Sequence, residues 1–309
     1  MRAITIAGRK VGDGHAPLIC AEAGINHNGD LDRALAMVTA AKDAGCDAIK
    51  FATLKAAEFC NPAHMISYRH NGELITESEL AMFRRCELPD TAWRTIKDEC
   101  DRHGIIFFST PQNESDLKLL LDVGVPCVKV GSDDLTNLAL IKAYAKHGLP
   151  MVLSTGMADM ADIDNALHSL GLRAFDSHLP TVLMCVCTSE YPCPAERANL
   201  MRIASLRNIY PLMPVGFSDH TLGSQAAIIA AALGAAYYER HFTLDNHLRG
   251  PDHEFSANPQ ELREWTDAIR STYVMLGSVR IEPTEQERVN RVNWRRKSGQ
   301  QIRGNAWAK

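Results

Sequence analysis

Short apolar runs alternate with helix-length periodic segments along most of the chain. The runs Cys127–Val130 and Val182–Val186 are continuously apolar, which is typical of parallel strands buried on both faces. The predicted strands are Leu18–Ala21, Ala48–Thr53, Ile105–Thr110, Cys127–Ser132, Met151–Thr155, Val182–Thr188, Pro214–Ser218 and Tyr237–Phe242. The predicted helices between them include Leu31–Ala44, Thr91–His103, Ser115–Val123, Leu138–His147 and Ser224–Leu233.

Residues typical of helix ends mark the boundaries of these segments. Asp30 and Ser115 stand where helix N-caps are expected. Glycines stand just past the predicted helix ends, at Gly45, Gly104, Gly124, Gly148 and Gly234. Repeated strand–helix units predict either a doubly wound sheet or a barrel, and a count of eight favours a (β/α)8 TIM barrel.

Two segments stand outside the repeating pattern. Glu58–Leu88 is a long insertion with a turn at Asn71-Gly72, and we interpret it as an active-site loop. Arg288–Lys297 is basic and is predicted to be a solvated surface helix rather than a ligand site. We expect the barrel to occupy residues 1–285 and a basic tail to occupy residues 286–309.

Composition narrows the functional classes. The chain is 46% hydrophobic and 23% charged, and its net charge of -4 predicts no general affinity for nucleic acid or anionic membranes. No apolar run is long enough to span a bilayer. Nine scattered cysteines predict reduced thiols in a cytoplasmic protein. We interpret the nearby Cys185, Cys187 and Cys193 as buried thiols rather than as a metal site.

Polar residues stand at the ends of the predicted strands, where a TIM barrel builds its active site. Lysines at 50 and 129 lie within strand patterns, and hydroxyl residues follow several strands. Charged residues in such positions are costly unless they are paired or bind a ligand. Converging lysines and hydroxyls are suited to a phosphate or a carboxylate. Lys50 can alternatively serve as an ion-pair partner of Glu22.

Two histidines, His220 and His241, follow adjacent strands and stand near Glu22 of the first strand. Two imidazoles and a carboxylate predict a divalent-metal site that polarises a carbonyl oxygen. A single histidine at a strand end is more often structural, so the prediction depends on the pair. We interpret Glu239, Arg240 and Arg249 as structural ion-pair residues.

Seven ordered motifs resemble the N-acetylneuraminate synthase family, which includes the bacterial sialic, legionaminic and pseudaminic acid synthases. The resemblance extends from about Leu18 to Arg296. The motifs are AEAGINHNGD (Ala21–Asp30), FSTP (Phe108–Pro111), KVGSDDLTN (Lys129–Asn137), LSTGM (Leu153–Met157), CTSEYP (Cys187–Pro192), PVGFSDHTLG (Pro214–Gly223) and ERHFTLDNHLRGPDH (Glu239–His253).

The resemblance implies a transferase that condenses phosphoenolpyruvate with an open-chain amino sugar and releases phosphate. It implies that Mn2+ or a similar ion is bound by His220 and His241, and that Glu22 handles water or a proton. It implies phosphoenolpyruvate binding by Lys50, Thr110, Lys129, Ser132, Ser154, Ser189 and Ser218. It implies acceptor binding by Asp134, Tyr191 and Asp252, and a homodimer.

Three departures from the family pattern bear on the acceptor. Ala52 stands where glutamine is usual, and Asp134 stands where glutamate is usual. Little sequence follows the basic segment, so we expect the family's C-terminal antifreeze-like domain to be absent, unless this sequence is part of a longer chain. That domain supplies an arginine to the acceptor's N-acyl group, a contact that Arg69, Arg249 or the Arg288–Lys297 segment would have to replace.

The sequence therefore predicts synthesis of a sialic-acid-like 2-keto-3-deoxy acid. One alternative is the same chemistry on an aldehyde without an N-acyl group. A second is a non-catalytic barrel that binds phosphoenolpyruvate and metal. A third alternative is a metal-dependent aldolase that uses pyruvate. It is less favoured, because the lysines and serines would then lack the phosphate ligand that they are expected to bind.

Overall fold

The computed structural model describes residues 2–173 and 181–296. The described residues fall into two compact units that divide between Val274 and Met275. In chain order the strands are β1 Ala3–Ile6, β2 Arg9–Gly12, β3 Leu18–Gly24, β4 Ala48–Thr53, β5 Met65–His70, β6 Glu73–Ser78, β7 Ile106–Pro111, β8 Val128–Val130, β9 Met151–Ser154, β10 Val182–Val186, β11 Val215–Asp219 and β12 Tyr237–His241.

The first unit is a closed barrel of eight parallel strands, which confirms the predicted (β/α)8 fold. The strands run around the barrel in chain order from β3 and β4 through β7–β12, and β12 pairs with β3 to close it. Several of these strands are buried along their whole length, including Leu18–Gly24 and Val182–Val186. Burial on both faces explains why their sequences are continuous rather than alternating.

The helices are α1 Leu31–Asp43, α2 Ala56–Phe59, α3 Glu79–Cys86, α4 Asp90–His103, α5 Glu114–Val123, α6 Leu138–Ala145, α7 Met160–Ser169, α8 Met201–Ile209, α9 Gln225–Ala232, α10 Pro259–Leu276 and α11 Glu285–Trp294. Asp30 caps α1 as predicted, because its side chain accepts a hydrogen bond from Arg33 N–H. The prediction of Ser115 as an N-cap is wrong. Asn113 occupies the cap of α5, where its N–H donates to Asp116, and Ser115 lies inside the helix and donates to Glu58.

The N-terminal hairpin of β1 and β2 was not predicted. It covers the end of the barrel at which the strands begin: Arg9 pairs with Asp47 at 2.7 Å, just before β4, and Arg2 donates to the Pro211 carbonyl before β11. Ile4, Ile6 and Val11 of this hairpin are buried in the main core. The opposite end of the barrel, where the strands finish, is left for the site.

The predicted insertion Glu58–Leu88 contains the antiparallel hairpin of β5 and β6, which turns at Asn71 and Gly72. The insertion and its neighbours form a small second cluster that includes Tyr68 and Met82. Ile66 and Phe83 reach the cavity at the barrel mouth. The insertion is therefore a wall of the mouth, as the loop interpretation predicts.

The second unit contains α11, whose cap residue Thr284 exchanges hydrogen bonds with Glu287. The predicted basic helix Arg288–Lys297 is thus helical as far as Trp294, and Lys297 lies outside the described residues. None of the helices in the described part of the chain has the length and hydropathy needed to cross a membrane.

Candidate active site

A cavity of about 510 Å3 opens where the barrel strands end. Strand register brings three predicted residues side by side, because His241 of β12 pairs with Glu22 of β3, and Glu22 pairs with Lys50 of β4. Twelve of the thirteen predicted site residues line this cavity. They are Glu22, Lys50, Thr110, Lys129, Ser132, Ser154, Ser189, Tyr191, Ser218, His220, His241 and Asp252.

Asp134 is the exception. Its neighbour Asp133 lines the cavity, whereas the Asp134 carboxylate accepts a hydrogen bond from Asn137 Nδ2 at 3.2 Å. The predicted strand Cys127–Ser132 ends early, at Val130, and the chain turns at Gly131. Alternation from the inward-facing Lys129 would aim residues 131 and 133, not 134, at the cavity, in agreement with the position of Asp133.

Glu239 lies in the cavity floor and accepts hydrogen bonds from several of its residues, although its sequence context suggested only a structural ion pair. Its Oε1 accepts from Lys129 Nζ at 2.8 Å and from Ser218 Oγ at 3.2 Å. Its Oε2 accepts from the Tyr237 hydroxyl at 2.6 Å. Tyr237, Glu239 and His241 alternate along β12, so the spacing of two residues that places His241 inward also places Glu239 inward.

Lys50 joins Glu239 to the opposite side of the floor. Its ammonium forms an ion pair with Glu22, donates to Thr110 Oγ1 at 2.9 Å and lies 3.9 Å from Glu239 Oε2. The two lysines and two glutamates are each 4% exposed. The floor therefore holds two ammonium groups and two carboxylates away from bulk water, an arrangement that is costly unless every charge is compensated.

The two glutamates respond differently to this burial. Burial raises the pKa of Glu22 despite the nearby Lys50 ammonium. Burial also opposes ionisation of Glu239, but Lys129 and Lys50 together hold the pKa of Glu239 below its usual range. Glu239 is thus a permanent anion that positions the lysines, and Glu22 is the carboxylate that is suited to exchange a proton.

His220 and His241 stand together at one side of the cavity, with ring centroids 5.6 Å apart. Burial lowers the pKa of both imidazoles, so both are neutral near pH 7. His220 Nδ1 lies 2.7 Å from the Thr188 carbonyl. Because a carbonyl only accepts, that nitrogen carries the proton, and the Nε2 lone pair is directed towards Ser218 and the cavity.

These residues fit a divalent ion that keeps positions open for substrate. His241 Nδ1 is buried, has no hydrogen-bond partner among the described residues and lies 3.7 Å from Asp252 Oδ2. No three histidine, cysteine, aspartate or glutamate side chains within residues 2–173 and 181–296 converge as a metal cluster. The pair would therefore supply two nitrogen ligands, and oxygen ligands would come from substrate, from water or from a carboxylate that moves.

Small side chains surround Gly156 on the wall that lies across the cavity from the histidines, and we name this group the cradle. A Cβ atom at Gly156 would lie 2.4 Å from Ser189 Oγ, 2.7 Å from Ser132 Oγ and 2.9 Å from Cys187 Sγ. Gly156 N–H donates to Ser132 Oγ, and the buried Ser189 Oγ has no hydrogen-bond partner among the described residues. An unpartnered hydroxyl beside a glycine predicts a bound oxyanion.

The remaining residues lie at the mouth. The Tyr191 ring lies 4.2 Å from the His220 ring, centroid to centroid, and is 48% exposed. Ala52 faces the cavity, and Gln112 lines the same wall, so a side-chain amide is retained there despite the alanine. Sequence reasoning missed Gln112 and Cys187 because neither has a pattern that separates it from a core or loop residue.

The three cysteines 185, 187 and 193 are buried free thiols and form no shared site. Arg249 is held away from the cavity floor, because its Nε donates to the Tyr68 hydroxyl at 3.3 Å and its Nη2 lies 3.5 Å from Glu77. Arg240 donates to the Gly223 carbonyl, in agreement with its structural interpretation.

Fold and site together define a TIM-barrel enzyme with a buried cationic floor beside a pair of neutral histidines. A family model described as the NeuB family matches residues 37–280. The N,N'-diacetyllegionaminic acid synthase of Legionella pneumophila is 35% identical over 87% of this chain and 76% of its own length. The enzyme of the same name from Campylobacter jejuni is 37% identical over 88% and 82%.

Solved structures agree with the sequence comparisons. The sialic acid synthetase of Leptospira borgpetersenii superposes with a TM-score of 0.81 at 31% identity, covering 94% of this chain and 95% of that one. The chain belongs to the NeuB family, and it is a synthase of the sialic acid type, with a place in carbohydrate biosynthesis.

Proposed function

We propose that this enzyme condenses phosphoenolpyruvate with the aldehyde of an amino sugar derivative. The products would be a nonulosonic 2-keto-3-deoxy acid and phosphate. The observation that carries the proposal is the juxtaposition, in one cavity, of two buried lysines, an unpartnered serine cradle and two neutral histidines. The reaction requires that an anion is bound, that a carbonyl group is polarised and that a proton is accepted. In this cavity the lysines and serines, the two histidines and Glu22 would meet these requirements in turn.

Phosphoenolpyruvate would lie on the cavity floor. Lys50 and Lys129 offer its phosphate and carboxylate positive charge, and the hydroxyls of Ser132, Ser154, Ser189, Ser218 and Thr110 offer donors. The Ser189 hydroxyl would gain most from bound phosphoenolpyruvate, because it has no hydrogen-bond partner among the described residues. Glu239 would keep both lysines in place, through a 2.8 Å contact with Lys129 and a 3.9 Å approach to Lys50.

The reaction forms a bond between C3 of phosphoenolpyruvate and the aldehyde carbon, which leaves positive character at C2, and the former aldehyde oxygen gains a proton from solvent. Water then adds to C2, and Glu22 takes the proton that this water loses, for which its raised pKa suits it. The tetrahedral C2 then expels phosphate by cleavage of the bond between C2 and the bridging phosphate oxygen. The hydroxyl oxygen that water supplied becomes the oxygen of the C2 carbonyl. Lys50 and Lys129 stabilise the charge on the leaving phosphate.

A divalent ion, which we propose to be Mn2+, would be held by His220 Nε2 and His241 Nδ1. When bound, it supplies Lewis-acid polarisation of the acceptor aldehyde. Thr188 supports this role, because its carbonyl orients the His220 ring, as residues behind metal ligands commonly do. The acceptor would lie above the histidines, against Tyr191 and Asp252, and Asp134 would contribute only if its loop rearranges.

We also propose a homodimer and a cytoplasmic location. An apolar groove of about 460 Å3, lined by Leu200, Leu222 and Ile229 among others, supports an association surface. Nine buried free cysteines support a reducing compartment. Sedimentation velocity tests the dimer, and Ile229→Glu would dissociate it if this groove is the interface.

Phosphate release from phosphoenolpyruvate, measured with Mn2+ and a panel of amino sugar aldehydes, tests the proposal. We expect release that requires both metal and acceptor and that stops with EDTA. Release without acceptor would indicate a phosphatase. Tight binding of phosphoenolpyruvate and Mn2+ without release from any acceptor would indicate the non-catalytic barrel.

A further inference from the structure

The turn that follows β3 holds a buried amide side chain, Asn26, which contacts the active site from behind. Asn26 is 1% exposed, and its backbone N–H donates to the Ala23 carbonyl at 2.8 Å. The residues that line the cavity within the described part of the chain do not include it. Its side chain instead contacts the end of β12 and the segment that leads from β12 to α10.

Both protons of the Asn26 amide are used. Nδ2 donates to the Phe242 carbonyl at 2.8 Å and to Ser256 Oγ at 3.1 Å. Because a carbonyl only accepts, the nitrogen of this amide, and not its oxygen, must face Phe242. The oxygen Oδ1 is buried and has no hydrogen-bond partner among the described residues. The side chain is therefore held by its nitrogen alone.

The first of these contacts leads to His241. Three successive backbone groups follow the His241 side chain, and each of them is hydrogen-bonded. The His241 carbonyl accepts from Ala257 N–H, and Phe242 N–H donates to the Glu22 carbonyl, both at 2.8 Å. The third group is the Phe242 carbonyl, which Asn26 holds. Only this third contact is made by a side chain, so it is the one that a substitution can remove.

The second contact leads to Asp252. Ser256 is 3% exposed, and its Oγ donates to the Asp252 carbonyl at 2.5 Å while it accepts from Asn26. A hydroxyl has one proton, so the hydrogen bonds run in one direction, from Asn26 through Ser256 to Asp252. The Asp252 carboxylate lies 3.7 Å from His241 Nδ1. One amide thus holds the backbone of both groups that face each other at this side of the site.

We infer that Asn26 is a positioning residue that sets the spacing of His241 and Asp252 for the divalent ion. The inference rests on the proposed function, because that function includes the ion. Asn26 acts only through Phe242 and Ser256, since it does not line the cavity. Residues behind metal ligands commonly orient those ligands, and their loss commonly weakens metal binding.

Asn26→Asp is the sharpest substitution, because it keeps the shape of the side chain and replaces its donor by an acceptor. A carboxylate oxygen would then face the Phe242 carbonyl, and neither atom has a proton to share. The affinity for Mn2+, followed by electron paramagnetic resonance, should fall by about 10-fold to 100-fold. The affinity for phosphoenolpyruvate, measured by calorimetry, should stay unchanged, because Asn26 contacts neither Lys50 nor Lys129.

Ser256→Ala removes the second contact without burying a charge, so it tests the inference even if Asn26→Asp folds poorly. Its affinity for Mn2+ should fall by about 2-fold to 10-fold, in keeping with the loss of one hydrogen bond. The double variant should bind Mn2+ as weakly as Asn26→Asp alone, because Asn26 reaches Asp252 through Ser256.

Ile6→Ala is the matched control for a loss of stability. Ile6 is buried in the hairpin of β1 and β2, which covers the opposite end of the barrel. This variant should lower the midpoint of urea unfolding and leave the affinity for Mn2+ unchanged. A reduced Mn2+ affinity in Ile6→Ala would trace the effect of Asn26→Asp to general destabilisation and would overturn the inference.

His241→Ala separates a failure of this inference from a failure of the proposed function. Suppose that His241→Ala weakens Mn2+ binding, whereas Asn26→Asp and Ser256→Ala bind it as tightly as wild type. The positioning role is then overturned and the synthase proposal stands. Effects of Asn26→Asp and Ser256→Ala that simply multiply in the double variant would overturn it as well. Tight Mn2+ binding by His241→Ala would overturn the proposed metal site, and this inference with it.

Discussion

The cavity at the strand ends, which we name the inner cavity, adjoins a second cavity of about 720 Å3, the outer chamber, which is lined by hairpin β5–β6 and by the loops after β10, β11 and β12. The two meet at Tyr191 and Asp252, yet they are built in opposite ways. The inner cavity stands on barrel strands, and its floor consists of buried, mutually paired charges such as Lys129 and Glu239. The outer chamber stands on a hairpin and three loops, and most of its wall residues are apolar or aromatic and partly exposed. Rigid strands suit the fixed geometry of bond formation, whereas loops can vary to select the acceptor.

The difference also concerns stability. Replacing buried ion pairs by well-packed apolar residues is often neutral or stabilising, so the four charges of the floor are poorly explained by stability alone. The side chains of the outer chamber have no such cost. Substitutions in the inner cavity should therefore affect both catalysis and folding, and those in the outer chamber should affect acceptor selection.

The largest effect is expected for Lys129→Met. Removing the ammonium leaves the Glu239 carboxylate buried and removes charge from the leaving-group site, so phosphate release should fall by about 1000-fold or more. The free energy of unfolding should fall by about 3–5 kcal/mol.

Lys97→Met is the matched control, because Lys97 pairs with Asp101 on the surface of α4. It should cost under about 1 kcal/mol and leave turnover unchanged. Denaturant unfolding and the phosphate assay measure both. Near-normal turnover of Lys129→Met would remove the lysine floor from the mechanism.

A smaller effect is expected for His241→Ala, which removes one proposed metal ligand. Mn2+ affinity should fall by about 10-fold to 100-fold or more, and turnover should fall with it. Mn2+ binding followed by electron paramagnetic resonance is the direct measurement. His103→Ala on α4 is the control, since His103 contacts Glu99 away from the barrel mouth. Unchanged Mn2+ affinity in His241→Ala would place the ion elsewhere.

Gly156→Ala should weaken phosphoenolpyruvate binding, and overpacking against the neighbouring side chains should lower the free energy of unfolding by about 1–3 kcal/mol. The added methyl group would occupy the cradle of Ser132, Ser189 and Cys187, so KM for phosphoenolpyruvate should rise by about 10-fold.

Gly148→Ala is the control for a loss of stability that leaves phosphoenolpyruvate binding unchanged. Its backbone φ is 70° and the space around it is open, so it should lose about 1 kcal/mol of stability through strain alone, with KM unchanged. Equal KM values in the two variants would contradict the cradle.

The smallest effect is expected at Glu77, which anchors the hairpin. Its carboxylate accepts from Arg85 and from the Tyr68 hydroxyl, and these contacts lower its pKa to about 2, below the ordinary range of a glutamate. Glu77→Gln should raise the acceptor KM by about 2-fold to 5-fold and leave KM for phosphoenolpyruvate unchanged.

The pH dependence of the Glu77 variant has a definite sign. Because the folded pKa is lowered, the ion pair stabilises the fold fully above the unfolded pKa and loses this effect as pH falls towards 2. The stability difference between wild type and Glu77→Gln should therefore shrink between about pH 5 and about pH 2. A difference that grows on acidification would contradict this assignment.

Sequence reasoning identified the barrel and most of the inner cavity because both follow from the succession of strands and helices along the chain. The ends of parallel strands meet at one face, so residues such as Lys50 and His220 were predicted together without contact information. Glu239 was missed because its partners Lys129 and Lys50 are remote in sequence, and only the closed barrel brings them to one carboxylate. Asp134 came from the family resemblance alone, and in the structure its neighbour Asp133 lines the cavity instead.

The outer chamber lay beyond such reasoning for a different reason. Leu74 and Leu222 belong to a hairpin and a loop whose orientation depends on long-range contacts, among them the one between Arg249 and Tyr68. No local pattern places those two leucines opposite each other. The error at Ser115 has a local cause instead, because Asn113, two residues earlier, takes the cap of α5.

The central claim, carbon–carbon bond formation with expulsion of phosphate from C2, is tested most directly by isotope transfer. Phosphoenolpyruvate carrying oxygen-18 in the bridging C2–O–P position is turned over with Mn2+ and a productive acceptor. The mechanism predicts that the released phosphate carries the label, because the C2–O bond breaks. Unlabelled phosphate would show cleavage of the O–P bond and would contradict the account.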